Sequence, residues 1–321
     1  MREHRIPLLQ TEHLTKEFRQ GKDRILAVSD FSFTINKGEI FGLVGESGCG
    51  KSTLGQMLVH LIEPTAGKIL LDGQDVTAPK RKEFQKLCGR AQIIFQDPYA
   101  SIDTVKKVGW LLEEPLIVHK LCTGKEERKK KALQMLAAVG LDEGCYDRWP
   151  EELSGGQRQR VAIALALILE PEFVVCDEPV SALDVSVQAQ VLNLLSELRE
   201  TFGLTYLFIS HDLNVISYLS DRIGVMYLGN LVELGNSEEI SRAPLHPYTK
   251  ALFSAALAAE GEKAPILLTG DLPSPANPPA GCPFHTRCPE CMEICKTEKP
   301  VLRGISPGRL CACHCVKETV L

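Results

Sequence analysis

The sequence lacks the features that would place the chain in a membrane or on nucleic acid. Among its 321 residues, 36 Lys and Arg stand against 41 Asp and Glu, so the net charge of −5 gives no basic excess that would attract a phosphate backbone. The longest apolar run, residues 161–169, is far shorter than the roughly 18 residues that cross a bilayer. The apolar stretch at residues 6–9 is too short for a signal peptide. We therefore expect a cytoplasmic globular protein.

Cysteine is scarce over most of the chain and concentrated near its end. Seven of the 12 cysteines lie between Cys282 and Cys315, and in a reducing compartment such a group favours metal binding over disulfides. Residues 270–284 contain five prolines and are typical of an irregular linker. We predict a main domain at 1–258 and, at 259–321, a proline-rich linker followed by a cysteine-rich region.

A glycine-rich stretch follows the apolar strand pattern at residues 40–44. Residues 45–52 match the phosphate-loop pattern G-x-x-x-x-G-K-[ST]. The glycines let backbone N–H groups turn toward phosphate oxygens, Lys51 reaches the β- and γ-phosphates, and the Ser52 hydroxyl is placed to ligate Mg²⁺. This pattern predicts nucleotide binding. Cys49 lies among these N–H groups beside Lys51, so we expect a stabilised, reactive thiolate there.

Two adjacent carboxylates, Asp177 and Glu178, end an apolar strand pattern at residues 173–178. Neighbouring side chains on a strand point in opposite directions, so the two acids need separate partners. Asp177 suits the Mg²⁺-binding acid beside a phosphate loop, and Glu178 suits the base that polarises an attacking water. His211 follows the strand pattern at 205–210, at the edge where ligands bind in open α/β sheets.

The stretch Leu153-Ser154-Gly155-Gly156-Gln157 comes before an apolar-rich helix pattern. Ser154 is a natural N-cap, and the two glycines leave the helix end open to an incoming anion. The same residues also fit a plain junction between a loop and a helix.

Periodicity and turn residues predict the remaining elements. We expect strands within residues 8–35 and at 67–71, 91–95, 173–178 and 205–210, and a hairpin over 222–236 that turns at Gly229 and Asn230. We expect helices at 52–62, at 124–139 with Thr123 as cap and Gly140 as stop, and at 185–202, with helical structure throughout 102–150.

Taken together, these motifs and their order resemble the nucleotide-binding subunit of an ATP-binding cassette (ABC) transporter. The similarity covers about residues 8–255 and includes the phosphate loop, a glutamine-loop Gln96, the signature at 153–157, the acidic strand, residues 181–184 and a switch His211. It implies an α/β fold: a phosphate-loop NTPase core with an antiparallel β layer, a helical subdomain at about 102–165 and a small cysteine-rich C-terminal extension.

The resemblance also implies residue roles. Phe18 would stack on adenine, Gln96 would sense Mg²⁺ and the attacking water, and Ser154, Gly156 and Gln157 would contact the γ-phosphate of ATP held by an opposing subunit. The implied catalytic residues are Glu178, His211 and Gln96, and the implied Mg²⁺ ligands are Ser52, Gln96 and Asp177. The implied ATP-binding residues are Phe18, Gly45, Glu46, Ser47, Gly48, Cys49, Gly50, Lys51, Ser52, Thr53, Ser154, Gly155, Gly156, Gln157 and Asp184.

A narrower resemblance covers the rest of the chain. Residues 246–252 (HPYTKAL) and 274–289 (SPANPPAGCPFHTRCP) are similar to the C-terminal region of oligopeptide and dipeptide importer ATPases, several of which carry an iron–sulfur cluster there. The importer pattern selects four cysteines as ligands of a 4Fe–4S cluster: Cys282, Cys288, Cys295 and Cys313. Zinc is the alternative metal, because its sites use more closely spaced cysteines, which the pairs Cys288 and Cys291 and Cys311 and Cys313 could supply. Residues 101–105 depart from the family pattern next to the expected contact with the membrane subunits.

The implied function is ATP hydrolysis that powers peptide uptake at the cytoplasmic face of the membrane. The implied partners are two membrane-spanning permease subunits, a second ABC ATPase subunit (a heterodimer is favoured and a homodimer stays open), and indirectly an extracytoplasmic solute-binding protein. Nickel or another small solute is an alternative cargo. An ABC-type ATPase that acts on nucleic acid is a rival of another class, but it would need long heptad repeats that this sequence lacks. The alternative role of the cysteine-rich tail, instead of a structural clamp, is that of a redox or iron sensor.

Overall fold

The computed structural model describes residues 6–21, 23–259 and 265–317. These residues divide into two compact units: the chain up to Thr77 together with the chain from Phe208 onward forms the first, and Ala78–Leu207 forms the second. The boundary predicted after residue 258 adjoins residues 260–264, which lie outside the described residues, and it stays a prediction.

The element order includes runs of consecutive strands and runs of consecutive helices. The strands are β1 (Pro7–Gln20), β2 (Asp23–Asn36), β3 (Ile40–Val44), β4 (Ala66–Leu71), β5 (Gln74–Asp75), β6 (Ala91–Ile94), β7 (Phe173–Asp177), β8 (Thr205–Ile209), β9 (Arg222–Tyr227), β10 (Asn230–Asn236), β11 (Arg303–Ser306) and β12 (Arg309–Cys311). The helices are α1 (Lys51–Leu58), α2 (Arg81–Arg90), α3 (Pro98–Ser101), α4 (Val108–Val118), α5 (Lys125–Ala138), α6 (Gly155–Leu167), α7 (Val185–Phe202), α8 (Leu213–Leu219), α9 (Ser237–Arg242), α10 (Pro247–Ala259) and α11 (Glu293–Thr297).

The first unit contains an antiparallel sheet with the strand order β2-β1-β4-β5. Along β2 the side chains of Phe31, Phe33 and Ile35 are buried, while the residues between them are partly exposed. This alternation is that of a sheet with one face against a core. The predicted antiparallel layer is therefore present.

A second sheet of the first unit has the order β11-β12-β10-β9-β3. Strand β3 is buried along its whole length and pairs in parallel with β9, whereas the pairs among β9, β10, β12 and β11 are antiparallel. The predicted hairpin is β9 and β10, but its turn lies one residue earlier than expected, at Leu228 and Gly229. Both turn residues have positive φ (42° and 77°), as a two-residue turn that matches strand twist requires.

Helix α1 is shorter than predicted. It ends at Leu58 rather than at residue 62, because His60 takes a left-handed conformation (φ 58°) and the Leu61 N–H donates back to the Gln56 carbonyl at 2.9 Å. These are features of a helix-ending motif that usually employs glycine.

The second unit contains the parallel pair β6 and β7 and the predicted helical segment. Helix α5 stops before Gly140 (φ 71°) as expected. The predicted Thr123 cap is wrong: Gly124 occupies the cap position, and the Glu127 carboxylate accepts bonds from the Thr123 N–H (2.9 Å) and hydroxyl (3.2 Å). An acidic residue in the first turn thus reaches back to the chain before the helix.

Within the described residues, the structure contains no helix with both the length and the apolar character needed to span a bilayer.

Candidate active site

The phosphate loop connects β3 to α1 in the first unit, and two of its glycines are required by close backbone approach. A Cβ atom at Gly45 would lie 2.2 Å from the Met226 carbonyl oxygen, and one at Gly50 would lie 2.1 Å from the Ala27 carbonyl oxygen. Gly50 also has φ 107°. The loop therefore sits against neighbouring backbone at two points, and larger residues at either position would displace it.

Lys51 is buried at the start of α1 and folds over the loop. Its Nζ donates to the carbonyls of Gly45 (2.7 Å) and Glu46 (3.0 Å). The ammonium group is thus held beside the cradle where the sequence predicts β- and γ-phosphates. The first backbone N–H groups of α1 have no side-chain cap, which is the arrangement that receives an anion.

The expectation of a reactive thiolate at Cys49 is wrong. The side chain is only 2% exposed. Burial raises the pKa of the Cys49 thiol, and this effect exceeds the lowering by Lys51, whose Nζ lies 3.8 Å from Sγ. Desolvation disfavours the charged form of a buried group. The thiol is therefore a packing group in the wall of the loop.

Two residues of the C-terminal region contact Glu46, and the motif analysis missed both. The Arg287 guanidinium binds the Glu46 carboxylate through two bonds, of 2.8 and 3.1 Å. The Tyr248 hydroxyl accepts a bond of 2.8 Å from the Glu46 backbone N–H. Both residues lie within stretches that resemble importer ATPases, yet nothing in their spacing indicates that they reach the phosphate loop 202 and 241 residues away.

In the second unit, the structure brings Gln96 and Glu178 together. The Gln96 amide Nε2 donates to Glu178 Oε2 at 3.1 Å. Asp177 is buried as the last residue of β7, and Glu178 follows it with φ 48°. A non-glycine residue in this conformation is strained, and such strain is concentrated at functional sites. The strand therefore ends at Asp177, one residue earlier than predicted, and Glu178 lies in the turn that follows it rather than on the strand.

Ser154 caps α6, as predicted from the sequence. Its Oγ accepts from the Gln157 N–H (3.3 Å), and the Gln157 side chain accepts from the Ser154 N–H (3.0 Å), which forms a reciprocal capping box. Gly156 allows α7 to approach, because a Cβ there would lie 2.8 Å from Val187. A cleft at this helix end is lined by the predicted Ser154, Gly155, Gly156, Gln157 and Asp184, and by Arg160, Ala182, Leu183, Val187 and Gln190, which were not predicted.

The remaining residues that were predicted to bind ATP or to act in catalysis each belong to one of the two units. Phe18 is on β1 with its ring 36% exposed and the Lys16 ammonium 5.1 Å from the ring centroid. Asp184 is the N-cap residue of α7. His211 follows β8 and is exposed. The rest of the predicted ATP-binding set belongs to the phosphate loop and the start of α1: Ser47, Gly48, Ser52 and Thr53.

The four cysteines predicted to bind a metal lie in the first unit. The Cys282 thiol interacts electrostatically with those of Cys295, Cys313 and Cys291, and the Cys288 thiol with those of Cys282, Cys313 and Cys315, so these interactions do not single out the predicted four. Burial, and then these neighbours, raise the pKa of Cys282 to about 11 and of Cys288 to about 12. Across the described part of the chain, however, no three His, Cys, Asp or Glu side chains are grouped so as to hold a metal ion. The predicted iron–sulfur and zinc assignments thus gain no support from the geometry.

The fold and these residues define the class of the protein: a phosphate-loop ATPase built as an ATP-binding cassette. Residues 28–181 match the family model described as ABC transporter. The dimeric structure of a post-hydrolysis state of the ATP-binding cassette MJ0796, bound to ADP and Pi, is similar with a TM-score of 0.66 and 30% identity, and the match covers 72% of this chain and 99% of that chain. The predicted fold class is confirmed.

Full-length relatives narrow the class. Residues 232–295 match the model described as oligopeptide/dipeptide transporter, C-terminal region. The putative oligopeptide transport ATP-binding protein YkfD of Bacillus subtilis (strain 168) is 50% identical over 315 residues, which are 97% of this chain and 96% of YkfD. The oligopeptide transport ATP-binding protein AppF of the same organism is 48% identical over 302 residues, 92% of each chain. The chain therefore belongs to the ABC transporter ATPases with the oligopeptide/dipeptide C-terminal region, and it hydrolyses ATP in a transport cycle.

Proposed function

We propose that this chain powers the uptake of dipeptides or oligopeptides. The observation that carries the proposal is the 50% identity to a putative oligopeptide transport ATP-binding protein over 97% of the chain. The match of residues 232–295 to the C-terminal region of oligopeptide/dipeptide transporters supports it independently of the nucleotide-binding motifs. Nickel remains the alternative cargo.

In the proposed mechanism, the residues predicted from the motifs carry out the ATP chemistry. The phosphate-loop N–H groups and Lys51 would bind the ATP phosphates, and Phe18 would stack on adenine. Ser52, Asp177 and Gln96 would hold Mg²⁺, which when bound would supply positive charge at the phosphoryl group. Glu178 polarises the attacking water as general base. The hydrogen bond from Gln96 to Glu178, at 3.1 Å, supports this role, because it orients the carboxylate beside a group that senses the same water. His211 is the second catalytic group of the proposal.

We propose further that the ATP site is shared between two ATPase subunits. The Ser154 helix end is open for the phosphates of ATP bound to the opposing subunit. The cleft supports this assignment, since Ser154, Gly156 and Gln157 line it at the N-terminus of α6, where a helix favours an anion. The second ATPase subunit is a different chain in the favoured heterodimer and a second copy of this chain in the alternative homodimer. Two membrane-spanning permeases complete the assembly at the cytoplasmic face of the membrane, and a solute-binding protein delivers the cargo.

Purification from detergent-solubilised membranes tests the assembly. An affinity-tagged chain should retain two integral membrane proteins and a second ATPase, identified by mass spectrometry. A matched Lys51→Ala variant should still retain the two membrane proteins, because the expected contact with them lies beside residues 101–105 and not at the phosphate loop. Recovery without any integral membrane protein would contradict the proposal.

We also propose that Cys282, Cys288, Cys295 and Cys313 hold a 4Fe–4S cluster that fastens the tail. The proposal is supported by the importer pattern, which selects these four cysteines with gaps of five, six and seventeen residues between them. Anaerobically purified protein should contain about four irons per chain, and Cys291→Ser should keep them whereas Cys288→Ser should lose them. One zinc per chain, or no metal, would refute the cluster and leave the ATPase unaffected.

A further inference from the structure

The contact between the C-terminal region and the phosphate loop has the geometry of a strong, specific ion pair. Arg287 presents two guanidinium nitrogens to the two carboxylate oxygens of Glu46, and the side chains are 10% and 28% exposed. Paired parallel bonds of this kind fix orientation as well as charge. Arg287 also donates to the Tyr227 hydroxyl at 3.5 Å. The guanidinium is therefore held in place from the β9 side as well as by the loop.

An aromatic cluster packs beside Arg287 and contacts the phosphate loop. The ring of Phe284, three residues before Arg287, packs on Tyr227 (5.2 Å between centroids) and on Tyr248 (5.5 Å). Phe284 and Tyr248 are almost completely buried. The Arg287 N–H donates to the Phe284 carbonyl at 3.0 Å in a short 3₁₀ turn. The cluster thus connects the cysteine-rich region rigidly to the Glu46 backbone through the Tyr248 hydroxyl.

Glu46 is an anion inside a loop whose purpose is to bind anions. An unpaired carboxylate at this position would repel the phosphates. It would also compete for Lys51, whose Nζ already bonds to the Glu46 carbonyl at 3.0 Å. The guanidinium of Arg287 compensates this charge and holds both carboxylate oxygens by hydrogen bonds. The loop pattern alone leaves this position unspecified.

We propose that Arg287 is a positioning residue for ATP binding: it neutralises and orients Glu46, so that the C-terminal region maintains the anion-binding form of the phosphate loop. The proposal rests on the ATP-binding function of that loop and adds a role for the tail in it. Arg287 touches neither nucleotide nor water in this account. It acts through Glu46.

The test is a double-mutant cycle on the full chain, with MgATP affinity measured by calorimetry and KM and kcat measured separately. Arg287→Ala should weaken MgATP binding and raise KM about tenfold, because it leaves the Glu46 carboxylate uncompensated near the phosphates. It should change kcat little. Glu46→Gln combined with Arg287→Ala should restore affinity to within about threefold of the wild type, since both charges are gone.

Lys250→Ala is the matched control. Lys250 forms an ion pair of 2.9 Å with Glu290, so it also joins α10 to the cysteine-rich region, but it does not contact the loop. This variant should bind MgATP as the wild type does. If Arg287→Ala does not fold, Arg287→Met, which keeps the apolar stem and most of the volume, carries the same comparison.

Two results would overturn the proposal. One is wild-type affinity in the folded Arg287 variant. The other is a double variant that binds as weakly as the single one, which would mean that Arg287 acts through the fold and not through the charge of Glu46. Failure of the wild type itself to bind MgATP would instead reject the ATP-binding function on which the proposal rests.

Discussion

Replacing Glu178 by glutamine isolates the chemical role of one carboxylate. The change keeps the size of the side chain, and the new amide carbonyl oxygen can still accept the bond that Gln96 donates to Oε2 at 3.1 Å. The strained backbone at this residue (φ 48°) is equally accessible to both side chains. The variant therefore loses negative charge and basicity while the local geometry is retained.

The expected loss follows from the role of a general base. Such groups contribute about 10²- to 10⁴-fold in rate, which corresponds to about 3 to 5.5 kcal/mol of transition-state stabilisation. Because Glu178 is not proposed to hold Mg²⁺ or phosphate, MgATP affinity should stay near that of the wild type. The shared site then closes on ATP and cannot reset, so an ATP-bound dimer should accumulate.

Single-turnover phosphate release and light scattering measure the two effects on the same sample. Glu170→Gln is a matched control: Glu170 also has positive φ (54°) and lies in the same unit, but it forms an exposed ion pair with Lys131. It should hydrolyse ATP normally. Turnover within about threefold of the wild type in Glu178→Gln would refute the assignment, because general-base loss is larger, and His211 would become the candidate base.

Three further outcomes are expected. Ser154→Arg should leave MgATP binding to the phosphate loop largely intact and abolish dimer formation, as measured by size-exclusion chromatography with MgATP; loss of all binding by folded protein would contradict a shared site. At neutral pH, alkylation of Cys49 should be slower than that of the partly exposed Cys122, as measured by mass spectrometry. The rate at Cys49 should increase as pH rises, because burial raises the pKa of the thiol and keeps it protonated. Fast labelling of Cys49 at neutral pH would argue for a thiolate. Arg309→Met should lower the free energy of unfolding in urea by about 3 to 5 kcal/mol. The reason is that Glu233, fully buried and 2.9 Å from the guanidinium, would lose its cation and keep only the N–H bonds from Leu245 and His246. Addition of Glu233→Gln should recover part of the loss, and no loss in the single variant would refute a coupled pair.

The local chemistry of the site was predictable from the sequence. The phosphate loop and the Ser154 cap depend on residues close together in the chain, where glycine freedom and capping determine the outcome. Strand alternation does not apply to Glu178, because the strand ends at Asp177. The hairpin turn lies one residue earlier than the predicted position. The prediction failed because Leu228 adopts positive φ, which its side chain does not favour.

The contacts that depend on distant residues were not predictable. The sequence placed Cys49 beside Lys51 and suggested a thiolate, but burial by distant residues decides its pKa. The approach of Arg287 to Glu46 depends on how a proline-rich linker returns the tail to the loop, and no local pattern specifies that path. Propensity and motif spacing describe neighbours in the chain, whereas desolvation and ion pairing depend on the completed fold.

Transport by the assembled complex tests the central claim most directly. The chain, its membrane subunits and the partner ATPase are reconstituted in vesicles, and ATP hydrolysis and uptake of a labelled dipeptide or oligopeptide are measured together. We expect peptide to accelerate hydrolysis and to accumulate in an ATP-dependent manner, and we expect Glu178→Gln in this chain to reduce both. Two results would contradict the account. One is an ATP hydrolysis rate that no peptide changes but that nickel does change. The other is peptide accumulation that persists without ATP hydrolysis.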